Sequence, residues 1–211
     1  MIKSINLISF LFSVLLFSAP AAAEDLLDVV SKKYTNAGLV VAQIEKETFS
    51  EFLTTPESAK GTFFLSKNLF RLDFDTPVKS SLVYDGSAIW DIQDSGKKVT
   101  RYKLGKASES QVLLSTLIDK GSREKNFKLK KKSGADKDIV EYNFESLSKK
   151  ASLQSFSISI LKAKKQISKI EYIDDLANKT TMTFKATEFS KSKKSHLFEF
   201  KPTSESKVTD L

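Results

Sequence analysis

Between residues 61 and 90 the chain reads GTFFLSKNLFRLDFDTPVKSSLVYDGSAIW, and within it Phe70, Leu72 and Phe74 alternate with Arg71, Asp73 and Asp75. Side chains on a strand repeat every two residues, so this run places three large apolar groups on one face and three charged groups on the other. After Pro77, two more strand-like runs, 81–84 and 88–90, flank Asp85-Gly86, a dipeptide that supplies positive φ to a tight hairpin. The stretch therefore encodes an antiparallel meander with one face to bury, and the rest of the chain has to provide the cover.

Upstream, residues 1–23 carry Lys3 as their only charge, an apolar run over 5–17 and Ala21-Ala22-Ala23 ahead of Glu24-Asp25. That order of basic start, apolar middle and small-residue end predicts a cleaved secretory signal peptide. The apolar run is too short to span a membrane comfortably as an anchor. Residues 24–211 are then expected to form one exported domain. The absence of cysteine excludes disulfides and thiolate metal sites, so burial and the sheet ladder must supply the stability.

The formal charge is +8, or +7 once Lys3 is lost. The lysines fall in separate groups along the chain, without the aromatic and glycine spacing of an RNA-binding module, and export excludes nucleic acid as a partner. Two readings of the basic residues remain open: solvated edges and turns that discourage sheet-to-sheet pairing, or attraction to anionic headgroups or an acidic docking partner.

Periodicity places a helix over 24–37, with Leu26, Val30 and Tyr34 on one stripe and Gly38 as its stop. A long strand follows over 39–53, with Val40, Ala42, Ile44 and Lys46 on one face, and alternation resumes over 99–104. Ser108 can cap a short second helix whose Val112, Leu113, Leu114, Leu117 and Ile118 form a wide apolar face, with Gly121 beyond its end. Six further strands are predicted over 126–131, 138–144, 153–161, 166–173, 180–188 and 196–201. About ten strands with two helices imply a mainly β fold: a single, strongly curved antiparallel sheet, a half-open and unclosed barrel covered by the N-terminal helix and a short lid helix. On the pattern alone, the apolar residues could equally fill an ordinary core.

The string Lys67-Asn68-Leu69-Phe70-Arg71-Leu72-Asp73-Phe74, then Pro77, Leu82-Val83-Tyr84-Asp85-Gly86 and Ile89-Trp90, resembles the core motif of the LolA family of periplasmic outer-membrane lipoprotein carriers. The proline that the family places after the first basic residue is absent, the loop is one residue shorter, and Leu72 stands where the family has Trp. Gln43 in the first long strand, and the closing order of strand 170–173, the turn at 174–178, strand 180–184 and Phe198-Glu199-Phe200-Lys201-Pro202, extend the resemblance over nearly all of 24–211.

The resemblance implies a hydrophobic cavity for acyl chains, with the second helix as its lid. The residues read as lining it are Leu26, Val30 and Tyr34 of the first helix, Phe70, Leu72, Phe74, Leu82 and Trp90 of the meander, and Val112, Leu113, Leu117 and Ile118 of the lid. It also implies a basic latch on the closed state, with Lys67 or Arg71 in that role. The implied partners are acylated lipoproteins, an inner-membrane ABC-type releasing complex and an outer-membrane acceptor, met by a monomer. A carrier of fatty acid or glycolipid on the same scaffold and an exported protein-interaction module are the alternatives. No cofactor, metal or covalent chemistry is expected: His196 is the only histidine, and no G-x-S-x-G or phosphate-cradling loop is present.

Overall fold

A computed structural model describes residues 24–50, 54–103 and 119–211. Helix α1 spans Leu26–Asn36, and Asp25 caps it by accepting the Leu27 N–H at 2.9 Å. Its buried face is Leu27, Val30, Ser31 and Tyr34, whereas Leu26 is half-buried. The i, i+3, i+4, i+7 spacing follows the 3.6-residue turn, while the four-residue steps from Leu26 drift around the helix.

The strands are β1 (Leu39–Phe49), β2 (Glu57–Ser66), β3 (Leu69–Thr76), β4 (Ser80–Tyr84), β5 (Ala88–Gln93), β6 (Lys98–Lys103), β7 (Phe127–Asp136), β8 (Ile139–Ser146), β9 (Leu153–Leu161), β10 (Gln166–Asp174), β11 (Lys179–Ser190) and β12 (Lys207–Asp210). All belong to one sheet in the order β12-β6-β5-β4-β3-β2-β1-β11-β10-β9-β8-β7. Two meanders, β1 to β6 and β7 to β11, meet at the antiparallel β1–β11 seam. Strands β12 and β7 are the two edges, so the sheet curls without closing.

The sequence reading differs from the structure at two places. The strand predicted over 196–201 is a 3-10 turn at Ser195–Phe198 followed by irregular chain, which turns Phe198 under cover at 1% exposure. Strand β12 escaped the sequence reading; its four exposed residues have no buried face to reveal them, and it pairs in parallel with β6. Gly121 lies in the first turn of α2 (Lys120–Asn126), where its N–H and that of Ser122 donate to the Asp119 side chain at 3.0 and 3.2 Å. The predicted lid with Val112, Leu113, Leu117 and Ile118 lies outside the described residues, as does the predicted signal peptide.

The ladder assigns every side chain to a face. Phe70 pairs with Tyr84, and Tyr84 with Ile89. On the other side of the meander Leu65 pairs with Phe70, Val40 with Leu65, and Phe189 with Val40. These residues belong to one hydrophobic cluster that also contains Leu27, Val30 and Tyr34, so the inner face of the curved sheet is the face α1 covers. Gly61 lies on this face opposite Phe74, next to a register shift, where a Cβ would stand 1.9 Å from the Asp73 carbonyl oxygen. Only backbone lies in the way, so it cannot rotate aside. Gly61→Ala is expected to destabilise the fold by about 1–3 kcal/mol, read as a lower urea midpoint at unchanged m-value.

Candidate functional site

The inner face is apolar along both meanders. Phe63, Leu65, Phe70 and Leu72 are buried in the first half, and Phe144, Phe156, Ile158 and Ile170 in the second. Phe74, Leu82, Tyr84, Tyr102 and Phe184 pack against this cluster yet remain half-buried. Rings meet edge-on, at 4.9 Å between Phe127 and Phe156 and 5.7 Å between Phe63 and Phe184. A face with large side chains only partly covered has apolar surface still to remove from water.

Helix α1 is held over this face by polar contacts at both ends. At its start Asp25 accepts the Tyr142 hydroxyl at 2.8 Å and pairs with Lys132. One turn on, Asp28 accepts Arg123 Nη2 of α2 at 2.7 Å and Lys120 Nζ at 2.7 Å. Arg123 is 4% exposed, so its guanidinium is taken out of water and needs that carboxylate. At its far end the Tyr34 hydroxyl accepts the Ile167 N–H at 3.1 Å, beside a register shift where β10 leaves its ladder with β9. Between α1, α2 and the strands β7 and β8 is a cleft of about 220 Å³, with Leu27, Phe127, Leu129 and Phe144 below and Asp28 and Arg123 at the rim. A larger cleft of about 580 Å³ is lined by Asn143, Ser157, Glu171 and Lys179 together with Phe156 and Ile173.

Of the residues read from sequence, the structure brings Val30, Tyr34, Phe70, Leu72, Phe74 and Leu82 to the inner face, with Leu26 half-buried at its border. Trp90 is on the other side. The loop at Asp85, Gly86 and Ser87 sets Tyr84 opposite Ile89 and Val83 opposite Trp90, so Ile89 points inward and Trp90 outward. There Trp90 joins Val83 and Val99 under Phe200, at 5.4 Å between rings, and its Nε1–H donates to Asp85 at 2.6 Å. Burial alone would raise the Asp85 carboxyl, but the Ser87 and Trp90 side chains and the N–H groups of Ser87 and Ala88 hold it below its ordinary value.

Arg71 also faces outward, pairing with Val83 across the ladder. Its Nε donates to Asp73 at 2.8 Å and its Nη1 to the Leu197 carbonyl at 3.2 Å, fastening the C-terminal segment to β3. Lys67 occupies the β2–β3 turn at φ 55° and is exposed. Sequence reasoning missed Asp28, Arg123 and the Asp25–Tyr142 contact. Asp25 had a local signal as a helix cap, but nothing in the sequence links Asp28 to Arg123 before the strand order is known.

A half-covered apolar face on an unclosed sheet defines a class of protein suited to an apolar ligand. Residues 40–201 match the family described as outer membrane lipoprotein carrier protein LolA, and the chain belongs to that family. An uncharacterized conserved protein from Thermus thermophilus shares the fold at a TM-score of 0.53 and 12% identity, with 88% of this chain and 97% of that one covered. A LolA superfamily protein from Nitrosomonas europaea matches at 10% identity over 83% of this chain and 96% of its own, with a TM-score of 0.45. An outer membrane lipoprotein-sorting protein domain from Vibrio parahaemolyticus matches at 11% identity over 82% and 94%, with a TM-score of 0.48. No curated protein matches the chain.

Tyr34→Phe removes the acceptor of a buried N–H and is expected to cost about 1–3 kcal/mol in chemical denaturation, with greater amide exchange at Ile167. Acid should loosen the other end of α1. Burial of Asp25 opposes its ionisation, but Lys132, Tyr142 and the Leu27 N–H outweigh it and hold the carboxyl below 3.8. A lowered carboxylate contributes stability above its unfolded value and loses it as pH falls through the folded one, so the loss is expected below about pH 4. Asp25→Asn should flatten that limb of a melting-temperature profile against pH.

Proposed function

We propose that this chain is a periplasmic carrier which takes the acyl chains of lipoproteins against its inner face and moves them from the inner to the outer membrane. The observation that carries the reading is the inner face itself: apolar across both meanders, covered among the described residues mainly by the pinned helix α1, with Phe74, Leu82, Tyr84 and Phe184 still half-buried. Each buried methylene is worth about 0.8 kcal/mol, so an acylated protein leaves its membrane only if comparable apolar surface is offered elsewhere. Membership of the LolA family supports lipoproteins as the cargo. An inner-membrane ABC-type complex would load the carrier and an outer-membrane acceptor would unload it, with the energy supplied by the transporter.

In this reading residues 1–23 direct export and are removed, and 24–211 act as one monomeric domain. The predicted lid residues Val112, Leu113, Leu117 and Ile118 complete the site. Lys67 is the proposed latch, because Arg71 spends its guanidinium on Asp73 and the Leu197 carbonyl on the outer face.

Gel filtration without detergent tests the cargo. The protein is expected to co-elute with a triacylated lipoprotein released from spheroplasts and not with the same polypeptide lacking its acyl chains. Co-elution of neither, with a fatty acid still bound, would reassign the chain to general lipid carriage. Leu82→Glu places a charge on the half-buried border and should weaken an apolar fluorescent probe about tenfold or more. Lys67→Ala should shift probe affinity, whereas Arg71→Ala should lower stability and leave probe affinity unchanged.

A further inference from the structure

The lysine groups stand far apart in sequence, yet the strand order gathers several of them at one end of the sheet. The β9–β10 turn carries Lys162, Lys164 and Lys165. Because β11 runs antiparallel to β10, the segment that leaves β11 emerges at the same end, bearing Lys191, Lys193 and Lys194. The last turn of α1 reaches this end too, where Lys33 Nζ donates to the Lys164 carbonyl at 2.8 Å. Lys162 Nζ donates to the Lys137 carbonyl at 2.7 Å, which adds the β7–β8 turn. The Lys191 carbonyl presses on the α1–β1 joint so closely that a Cβ on Gly38 would stand 2.2 Å from its oxygen. Ser66 donates to the Gly38 carbonyl at 2.7 Å and brings the Lys67 turn to the same rim.

The carboxylates at this end do not neutralise the rim. Asp85 is occupied by Ser87, Ala88 and Trp90. Asp136, Asp138, Glu188 and Asp210 are present; Asp210 pairs with Lys103 and Arg101, but among the described residues none of the lysines named above forms an ion pair with a carboxylate. Some lysines towards the opposite end do pair, Lys179 with Glu171, Lys130 with Glu145 and Lys60 with Glu45. Burial lowers the Lys33 ammonium, and repulsion from Lys165 acts in the same direction, as crowded like charges should.

We propose that this lysine end is a docking surface for anionic lipid headgroups. The charges sit on exposed turn tips spread across several strands, and all of them are lysines. Ammonium groups on flexible stems suit a diffuse negative plane, whereas a defined set of carboxylates on an acidic protein is better read by the bidentate fork of arginine. Lysines near an anionic membrane each add to its attraction, so a rim of this size holds a protein at the surface without insertion. No acyl chain enters this argument, and it stands whether or not the cargo is a lipoprotein.

The test is sedimentation of the full chain, in the form its cells process it to, with phosphatidylcholine vesicles with or without added phosphatidylglycerol. Wild type is expected to bind the anionic vesicles alone, and added salt should release it. Combining Lys164→Gln, Lys165→Gln, Lys193→Gln and Lys194→Gln should weaken that binding about tenfold or more. Combining Lys97→Gln, Lys98→Gln, Lys149→Gln and Lys150→Gln removes the same net charge elsewhere and should change it less than about twofold. Equal losses in both sets, or no wild-type binding to anionic vesicles, overturn the proposal. Retention on immobilised polyglutamate that depends on the rim, without vesicle binding, overturns it in favour of an acidic protein. The rim variant should keep its affinity for an apolar probe; loss of probe binding in wild type would sink the carrier reading and leave this one untouched.

Discussion

An open curved sheet has an apolar inner face that its own strands cannot hide, and the rest of this structure follows from how that face is covered. Among the described residues α1 is the main cover, through Leu27, Val30 and Tyr34. Hydrophobic contact is non-directional and would let the helix slide. What fixes its position is polar: Asp25 on Tyr142 and Lys132, Asp28 on Arg123, and Tyr34 on the Ile167 N–H. These contacts reach β7, β8, α2 and β10, so one helix is referenced to four elements distant in sequence.

The outer face answers the same problem with less surface. A second, smaller cluster of Val83, Ala88, Trp90 and Val99 would be open to solvent without the segment between β11 and β12. Phe200 covers Trp90, Phe198 is buried nearby, and Arg71 ties the Leu197 carbonyl to β3. The Arg71–Asp73 pair, drawn from the charged positions of the opening motif, thus serves as a fastening for the chain's return path. Strand β12 then closes that path with Arg101 and Asp210, whose guanidinium and carboxylate meet in two bonds of 2.7 Å.

Much of this was legible in the residues. Alternation at Phe70, Leu72 and Phe74, the Asp85-Gly86 hairpin and the clean repeat at Phe156, Ile158 and Ile160 gave the strands, the sheet's antiparallel character and most of the inner face. Trp90 was assigned to the wrong face because alternation fixes faces only within a strand. Across a hairpin the register decides, and Tyr84 pairs with Ile89 across four intervening residues, which exchanges the faces of odd and even positions. The strand expected at 196–201 failed for a related reason: apolar residues two apart look alike whether a strand or a turn lays them down, and only the neighbouring Trp90 distinguishes the two. The Asp28–Arg123 pair and the gathering of lysines depend on strand order, which no local pattern carries.

The seam between the two meanders carries one more consequence. Strand β1 finds its second neighbour in β11, near the far end of the chain, while nearly every other pairing joins strands adjacent in sequence. The meanders can form from local contacts, but the middle of the sheet must wait until residues up to Ser190 are available to pair with Leu39. Contacts so distant in sequence slow folding, because the loop has to close before the pairing repays it. The first long strand therefore stays without its second partner until β11 is available to pair with it, and the middle of the sheet is a part that local contacts alone cannot build.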